Sequence, residues 1–440
     1  MNILKKTSLN GKHISPFLLI PLLLLVIIGL VTLYSTLILP TGGLAETDIF
    51  TKQLIFIGVG ALLFILLSYI DLSYLKHWQV LLIIYTITII LLVLTLLFGP
   101  VIKNVKRWLI IGGIQIQPSE IAKFTVIIVT SVVFSMKEKY SEWILFLLSF
   151  VFLAPILVLI YLQPSGSMMV LTLSIWFLLV FMGLNNPIRN AVILTILLST
   201  VGAFLISSIT GNNLWFLLLI VAVVVGIFGF YAESNWKLFI VISFVIALLV
   251  GALSSVTWRN LLKDYQKQRI VAFINPEGTS SDNLFNVNQS KIAIGSGRIF
   301  GKGFGNGTQS KRNFLPEFRT DFIFASYAEE FGLVGSLFLM LLYGLIIAFC
   351  FMTAVNCTGN TMYSLISMGV GIKMLLEIFI NIGTNTGSIP ATGIPLPLMS
   401  AGGTITVMTL VCLGLVHNIS LKNSQKLRTK KGDIIDVYED

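Results

Sequence analysis

Apolar runs of about 20 residues alternate with short polar stretches along this chain, and one long polar stretch, Thr257–Asp321, interrupts the alternation. A helical run of about 20 residues is long enough to cross a hydrocarbon core ~30 Å thick, and several of these runs are shorter. The runs lie at 17–38, 53–70, 78–98, 121–136, 143–162, 168–184, 191–209, 214–231, 236–256, 327–355, 361–383 and 399–419. They are too long and too evenly apolar for barrel strands, and a segment crossing lipid as a helix satisfies its own backbone groups. The pattern predicts an all-α polytopic membrane protein with twelve spans. Its parts are membrane helices over 1–256 with an outer loop at 99–120, a large loop at 257–321, helices over 322–420 and a tail at 421–440. The first run follows a basic start but is too long for a signal peptide and has no small-residue cleavage site, so it reads as a spanning helix.

Short basic loops set the orientation. With twelve spans, the N-terminal tail (Lys5, Lys6, Lys12), DLSYLKH, KEKYSE, NNPIRN and the Lys-rich tail from Lys422 share one side. That side is expected to be cytoplasmic, with both termini on it. The loops 99–120 and 257–321 then lie outside, although the first carries Lys103, Lys106 and Arg107 and the second ten Lys/Arg against five acids. Two readings of this outer charge stand: it meets an anionic ligand, or long loops translocate whatever their charge. A net charge of +10 with only 11% charged residues suits anionic lipid headgroups or a phosphorylated substrate better than nucleic acid. Cys350, Cys357 and Cys412 show neither disulfide nor zinc spacing, and His13, His77 and His417 all fall on the cytoplasmic side.

Four stretches carry candidate chemistry. Gln117–Glu120 reads as a helix start, and Glu120 and Lys123, three apart, share a face at the outer membrane edge, where they are expected to pair and point into a cavity, with a structural ion pair as the alternative. Trp108 just before them suits an interfacial anchor. The glycine-rich run Gly295–Gly307 fits neither nucleotide-loop spacing, so its glycines are expected to let the backbone pass close to a ligand or another segment. Lys291, Arg298 and Lys302 around it are candidate diphosphate contacts, with solvated loop charges as the alternative. Lys373 and Glu377, four apart in mid-span, are expected to neutralise each other. The segment Thr392–Thr404, with its prolines, glycines and Ser400, is non-helical backbone at membrane depth and is expected to face the outer cavity.

These stretches together resemble the SEDS family of bacterial shape, elongation, division and sporulation proteins. The likeness rests on KRWLIIGGIQIQPSEIAK, YQKQRIVAFINP, NQSKIAIGSGRIFGKGFGNGTQSKRNFLPEFRTDFIFASYAEEFGLVG and FINIGTNTGSIPATGIPLPLMSAGGT, in the family's order from about residue 100 onward. The resemblance implies a SEDS-like helical bundle in the bacterial cytoplasmic membrane. It implies a glycosyltransferase that polymerises lipid II, the undecaprenyl-diphosphate-linked disaccharide-peptide, beside a class B penicillin-binding protein. A base would deprotonate the acceptor hydroxyl, and basic residues or a divalent cation (Mg or Mn) would meet the leaving diphosphate. Arg107, Trp108, Glu120, Lys123, Glu317 and Asp321 are retained from the family pattern, and Arg312 joins the candidate substrate contacts with Lys291, Arg298, Lys302 and Ser400.

Departures from the pattern are as informative. Where the family carries its loop aspartate, an ungapped alignment puts Thr279, with Glu277 before it and Asp282 three residues on. Threonine is no general base near neutral pH, so the expectation is that Asp282 takes the role or that the role is absent. A second family acid is missing from Gln163–Ser167. The family has ten spans, so two extra helices are expected between Ser167 and Trp258. Three functions follow as expectations: lipid II polymerisation, a catalytically silent scaffold for lipid II or a penicillin-binding protein, and translocation of the lipid-linked precursor.

Overall fold

The computed structural model describes residues 15–39, 43–44, 46–102, 105–184, 190, 264–274, 282–311, 314–357 and 359–436. The helices of the N-terminal part are α1 (Pro16–Ser35), α2 (Thr47–Tyr69), α3 (Trp78–Phe98), α4 (Pro118–Phe134), α5 (Glu142–Leu162) and α6 (Gly166–Gly183). After them come α7 (Asp264–Ile274), α8 (Asp282–Ser296), α9 (Ile323–Asn356), α10 (Thr361–Thr386) and α11 (Gly403–Asp436). Eight of these (α1, α2, α3, α5, α6, α9, α10 and α11 as far as Ser424) are long and apolar enough to cross a membrane. The chain is an all-α polytopic membrane protein. The predicted runs 191–209, 214–231 and 236–256 lie outside the described residues, as does the count of twelve that depends on them.

Two features of the pattern resolve differently from a plain reading of apolar runs. The last helix starts at Gly403 rather than 399, because the Pro–Gly segment before it cannot supply helical hydrogen bonds, and it continues past the apolar run to Asp436. The loop before α4 contains a β-hairpin, β1 (Leu109–Ile111) paired antiparallel with β2 (Ile114–Ile116). Gly112 and Gly113 both take positive φ at its two-residue turn, the geometry that matches the twist of paired strands.

The residues form two compact units, 1–183 with 289–388 and 392–440, and 184–288 with 389–391. Of the second unit the described helical residues are Asn190, α7 and the start of α8. In the first, α4 is the central helix. It is only 17 residues long and almost every side chain on it is buried. Around it pack α3, α5, α6, α10 and α11. Close approach is made possible by small residues, as expected where lipid supplies no hydrophobic drive between helices. A methyl group at Gly369 of α10 would meet Ile127 of α4 at 2.7 Å, and one at Gly183 of α6 would meet Phe134 at 2.6 Å. Lipid-facing surfaces are apolar as well: Ile55, Leu62 and Leu66 of α2 and Ile83 and Ile87 of α3 are all exposed.

A second core joins α1, α2, α9, α10 and α11 through Leu25, Phe64, Tyr343, Met374, Leu398 and Val416. Helix α10 has defined ends. Asn360 Oδ1 accepts from Tyr363 N at 3.3 Å at its start, and Gly387, at φ 71°, closes its last turn. His417 of α11 is fully buried, and its Nε2 accepts from the backbone N–H of Ser15, just before α1, at 3.4 Å.

Candidate active site

Glu120 and Lys123 lie in the first two turns of α4, and the helix's central place puts both inside the bundle, at 1% and 0% exposure. Lys123 Nζ donates to Glu120 Oε1 at 2.8 Å and to Glu377 Oε1 at 2.6 Å. The other oxygen of Glu377 accepts from Lys373 Nζ at 2.8 Å. The two pairs read from sequence, one on α4 and one on α10, are therefore one buried chain, Glu120–Lys123–Glu377–Lys373, with no net charge. Buried charges survive only when paired in this way. Lys123 has a further soft contact, to Met168 Sδ at 4.0 Å. At the free end of the chain, Glu120 Oε2 is buried with no hydrogen-bond partner among the described residues.

The polar face of α10 continues toward its C-terminus. Lys373, Glu377, Asn381 and Asn385 recur every four residues, so they share one face, and all four have 0% exposure. Asn381 Nδ2 donates to the carbonyls of Asp321 at 2.9 Å and Ile394 at 2.8 Å. Asn385 Nδ2 donates to the Asp321 carbonyl at 3.0 Å, while its Oδ1 accepts from Ala325 N at 3.1 Å. The carbonyl of Asn385 accepts from Ser290 Oγ at 2.8 Å, which ties α8 to the same face. Ser400 is buried, accepts from Leu396 N at 2.8 Å and donates to the Thr320 carbonyl at 2.6 Å. The non-helical segment and the end of the long loop are thus bonded to each other through backbone groups that lipid would leave unsatisfied. The spacing of four was readable in the sequence. The role of Asn381 and Asn385 was not, because their partners are backbone atoms of remote segments.

The glycine-rich run docks against a break in α9. Gly332 leaves helical geometry at φ 67°. Across the break, Leu333 N donates to the Arg298 carbonyl at 2.9 Å, Val334 N to Ile299 at 3.1 Å and Lys302 N to Glu329 at 3.0 Å. A Cβ at Gly297 would sit 2.1 Å from the Ala328 carbonyl oxygen, and one at Gly301 2.1 Å from that of Glu330. The segment these glycines approach is α9. Buried Glu329 anchors the loop, accepting from Lys302 Nζ at 2.6 Å, Thr308 N at 2.8 Å, Thr308 Oγ1 at 2.7 Å and Gln309 N at 3.1 Å. Beside it, buried Glu330 accepts from Ser35 Oγ.

The other candidates are spread around this frame. Lys291 and Arg298 are exposed, and Lys302 is half-buried in its pair with Glu329. Glu317 is exposed at φ 56° and accepts from Thr320 Oγ1 at 2.9 Å. Asp321 is partly buried beside Gly393, where an added Cβ would lie 3.4 Å from its Oδ2. Arg107, partly buried, donates to the Pro164 carbonyl, and Trp108, also partly buried, places its own carbonyl against Gly99. Arg319 bridges to Glu46. Asp282 is the first residue of α8, but its side chain lies outside the described set, as do Arg312, Glu277 and Thr279. Among the described residues no three His, Cys, Asp or Glu side chains group closely enough to hold a metal ion. The α4–α10 carboxylates do not fit a cation either, because two lysines already neutralise them.

The profile of the cell cycle protein family FtsW/RodA/SpoVE matches residues 16–218 and 205–425. Peptidoglycan glycosyltransferase MrdB of Escherichia coli K12 is 30% identical over 94% of this chain and 95% of its own length. The probable peptidoglycan glycosyltransferase FtsW of Bacillus subtilis is 29% identical over 92% of this chain and 90% of its own. Among solved structures, a chain of a peptidoglycan synthase complex described as coordinating polymerization and crosslinking superposes with a TM-score of 0.66 at 23% identity, covering 94% of this chain and 99% of that one. Rod shape determining protein RodA of Thermus thermophilus gives 0.58 at 22% identity, over 93% and 98%. At these identities the two structures speak for the fold alone.

Proposed function

The chain belongs to the FtsW/RodA/SpoVE family of SEDS proteins, and from that premise we propose that it polymerises peptidoglycan from lipid II at the outer face of the bacterial cytoplasmic membrane. The observation that carries this reading is likeness to a peptidoglycan glycosyltransferase over 94% of the chain. Both termini are cytoplasmic and the bundle has twelve spans in this reading, ten of the family and two inserted. A class B penicillin-binding protein is the partner that crosslinks the product, by analogy with the polymerising and crosslinking complex whose fold the chain shares.

In the proposed reaction the acceptor sugar hydroxyl loses its proton to a carboxylate and attacks the donor's anomeric carbon. The bond to the diphosphate breaks, and the undecaprenyl diphosphate departs with its electron pair. Asp282 is assigned the base, since Thr279 occupies the family's aspartate position. Glu120 and Lys123 of α4 are assigned to the catalytic group with it and shape the cavity. Arg107, Trp108, Lys291, Arg298, Lys302, Arg312, Glu317, Asp321 and Ser400 are assigned to the substrate side. Basic side chains supply counter-charge to the leaving diphosphate. A divalent cation, Mg or Mn, would add Lewis-acid stabilisation there, with its ligands unassigned.

A second reading is favoured by one observation, the threonine at 279 together with Ser165 where the family has its other acid. It makes the chain a silent scaffold that binds lipid II or the penicillin-binding protein. The test between the two is the purified chain with Asp282→Ala and, separately, Glu277→Ala. Loss of glycan synthesis in the first variant alone supports the assignment, and synthesis that survives Asp282→Ala removes Asp282 from the role.

A further inference from the structure

We propose that Glu377 and Lys373 on α10 are positioning residues for the reaction at α4, an inference that rests on the glycosyltransferase reading. Glu377 links the two pairs: one oxygen takes Lys123 and the other takes Lys373. Lys123 is thereby held from two helices, and it in turn holds Glu120 through Oε1. At the end of this chain of ion pairs, Glu120 Oε2 is buried without a hydrogen-bond partner among the described residues. A salt bridge serving stability alone has no use for such an atom, because an unsatisfied buried acceptor carries a full desolvation penalty.

The same face of α10 reaches the outer segments. Four residues beyond Glu377, Asn381 holds the carbonyls of Asp321 and Ile394, and Asn385 holds that of Asp321 again. One rigid helix therefore fixes both the Lys123–Glu120 pair and the backbone that carries Asp321 and Gly393. A change at Glu377 releases Lys123 without touching any outer residue. Its effect on the reaction is transmitted through position rather than through contact with substrate.

The experiment uses the full chain with its cognate penicillin-binding protein and labelled lipid II. Lys373→Met/Glu377→Gln removes one charge of each sign and keeps the interior neutral, and Glu377→Asp keeps every charge while shortening the reach to Lys123. Both variants are expected to purify as monodisperse protein, with kcat reduced at least about tenfold and KM for lipid II within about twofold of wild type. Folded variants with wild-type kcat would reduce the pair to charge balance and overturn the proposal. Should the double variant fail to fold, Glu377→Asp decides alone by the same rate criterion; failure of both would make the pair structural and overturn it too. A wild-type chain that forms no glycan sinks the functional reading and the inference together, whereas an active wild type beside active variants sinks only the inference.

Discussion

Lys123 and Glu377 stand 254 positions apart in the sequence and 2.6 Å apart in the bundle interior. That contact joins α4 to α10 at charged atoms that neither helix could leave alone in a membrane. Glu377→Gln leaves two ammonium groups facing one carboxylate, and breaking a buried pair by removing one partner costs about 3–5 kcal/mol. Lys373→Met leaves the opposite imbalance. The double variant restores neutrality, so its loss of stability is expected to be smaller than the sum of the single losses. Thermal unfolding of the four proteins in one detergent measures this coupling, and strictly additive losses would mean that Lys373 and Glu377 do not stabilise each other.

The glycine-rich run makes a different prediction. Gly301 at φ 80° and Gly332 at φ 67° let the loop and the broken helix share backbone hydrogen bonds, and an added Cβ at Gly332 would lie 2.3 Å from Gly301 N. Gly332→Ala combines backbone strain with that clash and is expected to cost about 2–4 kcal/mol. Limited proteolysis within 297–311 is the readout. Wild-type resistance in the variant would mean the loop does not depend on this close approach.

Glu329 should report on the same docking from the polar side. Its carboxylate takes Lys302 and three donors from Thr308 and Gln309. Glu329→Ala is expected to cost about 3 kcal/mol, since the donors it leaves include a half-buried ammonium. Hydrogen exchange at the Thr308 and Gln309 amides should accelerate, while amides within α10 keep their protection. Unchanged exchange at both positions would remove Glu329 as the anchor.

Much of this frame was legible in the sequence, for a physical reason. A membrane helix must be apolar over about 20 residues, so α3, at Trp78–Phe98, falls on the predicted run 78–98. Glu120 with Lys123 and Lys373 with Glu377 were readable as pairs because spacings of three and four bring side chains together within one helix. Their union was not, since Lys123 and Glu377 meet only through the packing of α4 on α10. The hairpin at Leu109–Ile116 was hidden as well: its strands are three residues each, too short for alternation to emerge from a loop. The break at Gly332 falls inside the predicted run 327–355, because its reason lies in Gly301, thirty-one positions earlier.

Acid pH offers a probe at the opposite end of the bundle from Asp321. Asp71 caps the short 3₁₀ turn Leu72–Lys76, and its carboxyl is held below the usual range, first by its bond to Lys422 and then by Ser73. A depressed folded pKa contributes stability above the unfolded value and loses it as pH falls through the folded one. The melting difference between wild type and Asp71→Asn is therefore expected to be small and flat from pH 7 to about 5, then to close as the pH drops below about 4. A difference that widens on acidification would contradict the sign.

The most direct test of the account is polymerisation of labelled lipid II by the purified chain, alone and with its class B penicillin-binding protein. The account predicts processive glycan chains that vanish in Asp282→Ala. Measurable lipid II or partner binding with no glycan under any divalent metal would contradict it, and would leave a scaffold that keeps the family's frame without its chemistry.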